Sequence, residues 1–229
     1  MLRLLTSNAT HSVLRALAAA IERACGQAIR VECDSAKVML ERIENGEVAD
    51  VAVLNAPHLE RLVAYGRIVP GSCRMFSRSR VGVAVRAGAV HPDVSTVDAF
   101  IRTLRNARTV AHTVHGASGL YFPQLIERLG IAREIAPKCV TRPGGLIGRV
   151  VASGEAELAV QQISELLAVP GIELVGPLPE ALQMVFESRA GVFAHSTQRA
   201  AAEALVGFLA GPVAASTLPQ FGLEAPSAD

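Results

Sequence analysis

Aromatic residues and an excess of charge of either sign are what this sequence lacks most. Its 229 residues include no Trp, two Tyr and seven Phe, too few rings for a platform that stacks nucleic-acid bases or sugars. Lys and Arg number 22 against 21 Asp and Glu, so no net field draws the chain to nucleic acid or to an anionic membrane. A small polar ligand fits this composition better, and an anion would have to be bound by a local arrangement of groups.

Motifs for metals, disulfides and nucleotides are also absent. The four cysteines are Cys25, Cys33, Cys73 and Cys139. They form no CxxC pair and no Cys/His spacing of the kind that binds zinc, which favours reduced, buried thiols and predicts no metal. No GxxxxGK[ST] occurs and no GxGxxG follows a strand pattern, so we expect no nucleotide and no other cofactor.

Long apolar runs are missing as well. None reaches the roughly 18 residues that a membrane-spanning helix requires, so no membrane insertion is expected. LRALAAA at residues 14–20 resembles part of an export signal, but Arg15 and Glu22 interrupt it, and residues 2–6 have a strand pattern. The sequence as written therefore predicts a cytoplasmic protein, or a periplasmic one if a leader has been removed.

The two halves of the sequence repeat the same order of features. GEVADVAVLN at residues 46–55 is echoed by GEAELAVQQ at residues 154–162. Upstream of each, a turn containing serine precedes a helix pattern that ends in Ile-Glu-Arg and Gly, at residues 21–26 and 126–130. Gly-Glu with small residues is also a common helix end, so coincidence is the alternative. Two similar lobes are the simpler explanation.

Short apolar strand patterns alternate with amphipathic helix patterns along both halves. ADVAVLN at residues 49–55 is nearly all apolar, as in a strand buried on both faces of a parallel sheet. This predicts an α/β protein with two doubly wound lobes joined by a two-stranded hinge. Because a long C-terminal helix usually packs back on the first lobe, we expect lobe I at 1–79 plus 190–229 and lobe II at 80–189.

Two turns after predicted strands have the composition of an anion site. In open α/β sheets ligands bind beyond the carboxyl ends of the strands, where helix N-termini offer backbone N–H groups and partial positive charge. SNAT follows the first strand, before a helix pattern that is clear from Val13, and HGASG follows TVAHT. The predicted ligand-binding residues of these turns are Ser7, Asn8, Ala9, Ala117, Ser118 and Gly119. The alternative for Ser7 and Ser118 is simple helix capping.

Three further side chains are predicted to bind the anion. Lys37 lies in the first turn of a predicted helix, an unfavourable place for a cation that a bound carboxylate would explain. Arg80 precedes a long strand, and Gln161 is at the end of the repeated strand. Each has an ordinary alternative, because an exposed lysine tolerates the small penalty and an amide or guanidinium often pairs with neighbouring groups.

His11, His112 and His115 lie near these strand ends and could act as general acid or base in principle. Of these, His11 and His115, together with Lys37, are the candidates for acid–base catalysis. No Ser-His-Asp order and no GxSxG is present. Glu165 is a conceivable base, with capping of the following helix as its alternative role. Surface or core positions without catalytic function are the alternative for the histidines.

Several blocks resemble the type II periplasmic binding proteins, specifically the molybdate-binding-protein-like group. The resemblance spans nearly the whole chain. It rests on SNAT, ENGEVADV, RSRVGVAVRAGAVHPDVST, HGASGLYFPQLIERLGI and VASGEAELAVQQISELLAVPGIELVGPLP. In that family two lobes on a two-stranded hinge close over an oxyanion. The resemblance implies ligand contacts from Asn8, Ala9, Ser35, Lys37, Ser118 and Gln161.

The first two turns depart from the molybdate-binding pattern, which has runs of Ala and Ser. Here they read SNAT and DSAK, and a lysine in place of a small hydroxyl residue suits a carboxylate better. HPDVST, GASGLYF and QQISELL resemble a branch of solute-binding proteins to which aconitate isomerase is also similar. The resemblance implies binding of a small organic acid or oxyanion with an ABC-type permease as partner. A cofactor-free isomerase of a di- or tricarboxylate is the alternative.

Overall fold

The computed structural model describes residues 1–226 of the 229, which form a mixed α/β fold. In chain order its strands are β1 (Leu2–Ser7), β2 (Ile29–Asp34), β3 (Val51–Asn55), β4 (Arg74–Arg86), β5 (Val110–Thr113), β6 (Cys139–Arg142), β7 (Leu158–Gln162), β8 (Ile172–Pro177), β9 (Val185–Val192) and β10 (Leu223–Glu224). Its helices are α1 (Asn8–Cys25), α2 (Ala36–Glu44), α3 (Ala56–Ala64), α4 (Val97–Asn106), α5 (Ala117–Arg128), α6 (Ala132–Ile135), α7 (Gly148–Ala152), α8 (Ile163–Leu166), α9 (Arg199–Leu209) and α10 (Pro212–Thr217).

The chain divides into two compact units. Unit 1 comprises Met1–Ser79 and the chain from Phe186 onward, and unit 2 comprises Arg80–Val185. The chain therefore passes from one unit to the other twice, once within β4 and once at the start of β9. The second lobe boundary expected from the sequence, between residues 189 and 190, also falls within β9.

The internal echo corresponds to a repeated strand order. In unit 1 the order is β2-β1-β3-β9, with the first three strands parallel and β9 antiparallel to β3. In unit 2 the order is β6-β5-β7-β4, again with three parallel strands and an antiparallel fourth. The echoed sequences form β3 and β7, which have the same place in their units. The strand order therefore repeats in the two units, as the echoed segments do in the sequence.

The sheet of unit 1 is covered on both faces, as the apolar run of β3 predicted. Val51 and Val53 pack with α1 and α9 on one face, whereas Ala52 and Leu54 pack with α2 and α3 on the other. All five residues of β3 are buried. In unit 2, Ala159 of β7 packs in the same way against a cluster that includes α7 and α8. Helices on both faces hold the strand ends, and thus the turns that follow them, in fixed positions.

The first helix starts earlier than its apolar spacing indicated. α1 begins at Asn8, directly after β1, whereas the sequence pattern is clear only from Val13. The Oγ1 atom of Thr6 lies 2.6 Å from that of Thr10 and donates to the carbonyl of Val53 at 3.1 Å. These buried hydroxyl contacts fix the polar first turn of the helix, which hydrophobic periodicity cannot detect.

In residues 1–226 no single helix is long and apolar enough to cross a membrane. The segment Pro212–Phe221 and α9 reach that length and composition only as a pair, which is bent by 48°.

Candidate functional site

The carboxyl ends of the three parallel strands of unit 1 lie at one edge of the sheet. The register pairs Ser7 with Asp34 and Thr6 with Val53. α1, α2 and α3 begin at this edge, with Ser7, Ser35 and Asn55 as their N-cap residues. The edge therefore collects three helix N-termini, whose first N–H groups have no partner within the helix.

Two of these N-cap side chains do not cap their helices. Ser35 accepts a hydrogen bond from the Val38 amide at 3.4 Å, which is an ordinary capping contact. Ser7 and Asn55 make no such bond, and the Ser7 Oγ and the Asn55 Oδ1 are buried without any hydrogen-bond partner. A buried polar atom without a partner costs about 1–3 kcal/mol, so both atoms are suited to a ligand that supplies the missing bond.

The matching edge of unit 2 is formed by β5, β6 and β7. The register pairs Thr113 with Arg142, and Val110 with Leu158. α5 begins just beyond Thr113, and Ser118 in its first turn is 1% exposed. The Oγ of Ser118 and the Oγ1 of Thr113 are both buried without a partner. Unit 2 thus presents the same kind of unsatisfied hydroxyls as unit 1.

Close packing of backbone fixes the start of α5. A Cβ atom added to Gly119 would lie 2.0 Å from the carbonyl oxygen of Thr113 and 2.5 Å from its Oγ1. A Cβ on Gly116 would lie 2.7 Å from the same Oγ1. Because real Cβ atoms do not approach backbone so closely, only glycine allows the helix to start directly against the end of β5.

The amides of Gln161 and Gln162 have different environments. Gln161 accepts from the Ile147 amide at 2.9 Å and donates to the Gly145 carbonyl at 2.8 Å, so it fixes the loop before α7. Gln162 donates through Nε2 to Glu165 at 3.3 Å, and its Oε1 is buried without a partner. Of the two neighbouring amides, Gln162 is the one with unused hydrogen-bonding capacity.

The charge distribution in the first turns favours an anion at both edges. None of α1, α2, α3 and α5 has an acidic residue in its first turn. Acidic residues are common there because they compensate the positive end of the helix dipole, as Asp98 does in α4. At α2 the Asp34 carboxylate accepts from the amide of the N-cap residue Ser35 at 2.6 Å, so the partial positive charge is left for another anion at the starts of α1, α3 and α5.

Glu165 is a buried acid in the first turn of α8. Its side chain accepts from the Gln162 side chain and from the Gln162 backbone amide. Burial raises the pKa of Glu165 from 4.5 to about 8, and the two bonds from Gln162 offset only part of that effect. The bond to the Gln162 backbone amide is one half of a capping box, which agrees with the capping role given as the alternative from the sequence, whereas the Gln162 side chain makes no capping bond.

Lys37 and Arg80 have other partners in the structure. Lys37 is exposed, and its Nζ lies 3.7 Å from Glu41 one turn further along α2. Arg80 forms an ion pair of 2.5 Å with Glu180 within unit 2. These ion pairs agree with the ordinary alternatives for both residues, and their ligand roles stay predictions.

The histidines near the strand ends differ from one another in burial. His11 is half-buried in α1, where burial and then the charge of Arg15 lower its pKa. His115 is exposed. A third histidine, His112, is buried with its Nδ1 at 2.9 Å from the Thr113 carbonyl and its ring 5.3 Å from that of Phe122, and burial lowers its pKa.

At the two sheet edges, three residues with unpaired atoms were not among the predicted ligands: Asn55, Thr113 and Gln162. Aligning the final residues of the echoed segments places Asn55 opposite Gln162, as the last residues of β3 and β7. That match was a usable signal for two amides at equivalent strand ends. Thr113 has no comparable signal, because a threonine at the end of a strand is common.

Asn8, Ala9 and Ala117 lie in the first turns of α1 and α5, as expected. In residues 1–226 no group of three or more His, Cys, Asp or Glu side chains is arranged to hold a metal ion. At both edges the hydroxyls and backbone N–H groups can donate to an anion, whereas an amide donates only through its nitrogen and accepts through its oxygen.

Comparison with known proteins identifies the family. The sequence model of the bacterial extracellular solute-binding proteins matches residues 2–224. The chain belongs to this solute-binding family. A relative from a Pseudomonas species, aconitate isomerase, is 34% identical over 229 residues, covering 97% of this chain and 87% of the relative.

Solved structures of solute-binding proteins have the same fold. The periplasmic molybdate-binding protein of Azotobacter vinelandii superposes with a TM-score of 0.83 over 99% of this chain and 100% of its own, at 19% identity. The substrate-binding domain of a molybdenum ABC transporter from Clostridium difficile, described as putative, gives 0.74 at 15% identity over 99% of each chain. These likenesses confirm the predicted type II periplasmic-binding-protein fold.

Proposed function

We propose that this solute-binding protein, composed of lobe I (1–79 plus 190–229) and lobe II (80–189), binds a small organic anion, a di- or tricarboxylate, through the strand ends of its lobes. The two strands in which the chain passes between its units would serve as the hinge. The observation that supports this most is the set of buried hydroxyls without partners at the strand ends of each unit, which can donate to an anion: Ser7 Oγ, Thr113 Oγ1 and Ser118 Oγ.

Hydroxyl groups and helix N-termini suit a carboxylate because they supply hydrogen-bond donors and partial positive charge without a full counter-ion. The asparagine and glutamine amides add adaptable groups, since rotation of an amide exchanges its donor and acceptor ends. An oxyanion such as molybdate would use the same hydroxyls. The relative named aconitate isomerase, at 34% identity, supports an organic acid over the oxyanion of the structural neighbour at 19%.

A thermal-shift panel tests the proposal, with molybdate, tungstate, sulfate, citrate, cis- and trans-aconitate and C4 dicarboxylates as ligands. An anion present at 100 times its Kd should stabilise the folded protein by about 2.7 kcal/mol. We expect a tricarboxylate to give the largest increase in melting temperature. The absence of any increase with any of these anions would refute the proposal.

Removal of the Ser118 hydroxyl separates a ligand role from a capping role. In Ser118→Ala we expect an unchanged or slightly higher melting temperature without ligand, because an unpaired buried hydroxyl is lost. Anion affinity should fall roughly 5- to 100-fold. Isothermal titration calorimetry measures the affinity, and Ser216→Ala, at an exposed serine of α10, is the control. A less stable apo protein with unchanged affinity would assign Ser118 to structure alone.

The second candidate function is isomerisation of a di- or tricarboxylate, and two observations favour it. The identity to aconitate isomerase extends over 97% of the chain. A buried carboxyl, Glu165, also lies beside an amide with an unpaired oxygen at the end of β7. NMR of the bound acid during incubation distinguishes the two functions, because an isomer accumulates only with the enzyme. If the protein serves transport, it would act with an ABC-type permease and would be located outside the inner membrane. The cytoplasmic location stays a prediction.

A further inference from the structure

Glu165 has fewer partners than the other buried acid of the described chain. Asp50 accepts hydrogen bonds from the Arg3 amide at 2.8 Å, from Ser196 Oγ at 2.6 Å and from Gln198 Nε2 at 3.3 Å. Glu165 is equally buried, at 7% exposure, but within residues 1–226 it forms no ion pair and accepts only from Gln162. Such a carboxyl costs stability to maintain, which makes it a candidate for a chemical role.

Its neighbourhood is the anion-binding edge of unit 2. Gln162 is the last residue of β7, and Glu165 lies in the turn that follows. β7 runs parallel to β5, whose end contributes the unpaired Thr113 hydroxyl and leads into the turn with Ser118. A carboxylate bound by these hydroxyls would therefore lie at the same sheet edge as Glu165.

We infer that Glu165 is the group that removes and returns the proton when an unsaturated tricarboxylate, bound at this edge, is isomerised. The inference rests on the isomerase function proposed above. In its ionised form Glu165 takes a proton from the CH2 group next to a carboxylate, and the electrons of that C–H bond form the new C=C bond. The electrons of the original C=C bond then take the proton back from Glu165 at the far carbon, so Glu165 is ionised again and no other reactant is needed.

The protonation state of Glu165 fits both binding and proton transfer. Because burial raises its pKa to about 8, the side chain is mostly neutral at pH 7 and does not repel a ligand with three negative charges. No charged side chain contributes to this shift, which arises from burial and is opposed by the two bonds from Gln162. The ionised fraction, and with it the rate at low substrate, should rise about tenfold per pH unit up to about 8.

A neutral Glu165 also changes what Gln162 offers to the ligand. The carboxyl O–H donates to the Gln162 Oε1 once the amide rotates, and the Nε2 group is then free to donate to a substrate carboxylate. In the structure Nε2 donates to Glu165 and Oε1 is unpaired, so Oε1 is the amide atom that is available to accept this bond. Glu165 would thus transfer the proton while Gln162, its hydrogen-bond partner, binds the substrate carboxylate.

Glu165→Gln is the decisive variant because glutamine keeps the size and capping ability of the side chain but does not exchange a proton. We expect Kd for trans-aconitate within about threefold of the original protein, and conversion to the cis isomer, followed by proton NMR, reduced by roughly 100-fold or more. Glu127→Gln, at an exposed glutamate near the end of α5, is the control and should leave both unchanged. The rise in kcat/KM toward pH 8 should disappear from any residual activity of Glu165→Gln.

The remaining outcomes separate this inference from the proposed function. Activity of Glu165→Gln above a third of the original would overturn the inference and direct attention to His112. If the original protein binds the acid but forms neither an isomer nor, in D2O, a deuterated acid, the inference also fails while anion binding stands. If no anion binds at all, the proposed function itself fails.

Discussion

Replacement of Gly119 by alanine is expected to lower the free energy of unfolding by about 3 kcal/mol, near the upper end for an overpacked site. The added Cβ would lie 2.0 Å from the carbonyl oxygen of Thr113, which is backbone and cannot rotate away. The start of α5 must therefore move away from the end of β5. Because Ser118 lies in that turn, we also expect the anion affinity to fall by at least tenfold.

Equilibrium unfolding in urea, followed by far-UV circular dichroism because the chain has no Trp, measures the change in stability. Gly207→Ala is the matched control, since nothing lies within 4 Å of its added Cβ and the residue is inside α9. Alanine there should stabilise the protein by about 0.5–1 kcal/mol. Equal effects of the two substitutions would show that the close approach at Gly119 does not fix the turn.

The fold could be predicted from the sequence because it depends on the spacing of apolar residues and on a repeated segment. The run from Val51 to Asn55 has apolar side chains on both faces, which only a sheet covered on both sides accommodates. Its echo at Leu158–Gln162 then indicated a second copy of the same unit. Both inferences depend on which positions are apolar, and that information is written directly in the sequence.

The candidate site was less accessible to the same reasoning, because hydrogen bonding depends on the direction of individual side chains. Gln161 and Gln162 are adjacent and chemically identical, yet one is fully paired with a loop and the other has an unpaired oxygen. Lys37 and Arg80 had suitable charges. Glu41 is the i,i+4 neighbour of Lys37 and is visible in the sequence, whereas Glu180, the partner of Arg80, is 100 residues away and only the structure shows it. Ser7 and Ser118 were predictable as members of helix starts, whereas their lack of a capping bond was not.

The largest pH-dependent effect is expected for Glu165→Gln, which should make the folded protein more stable at pH 8 than the original. Below pH 4.5 Glu165 is protonated in both the folded and the unfolded chain, and it adds nothing to the pH dependence. Between pH 4.5 and about 8 the unfolded chain loses this proton while the folded protein keeps it. Stability therefore falls with pH across this window by up to about 1.4 kcal/mol per pH unit.

Summed from pH 4.5 to pH 8, the loss in free energy of unfolding that Glu165 causes is on the order of 4 kcal/mol. Glutamine has no charge to bury and removes this loss. Urea unfolding at pH 4.5 and pH 8 should show a small difference between the variants at the lower pH and a large one at the higher. Glu127→Gln should stay within about 0.5 kcal/mol of the original at both values, as surface substitutions usually do. A difference independent of pH would mean that Glu165 is ionised in the folded protein. A retained side chain that costs this much stability is what a proton-transfer role would require, because a fully paired carboxylate would be stable but chemically inert.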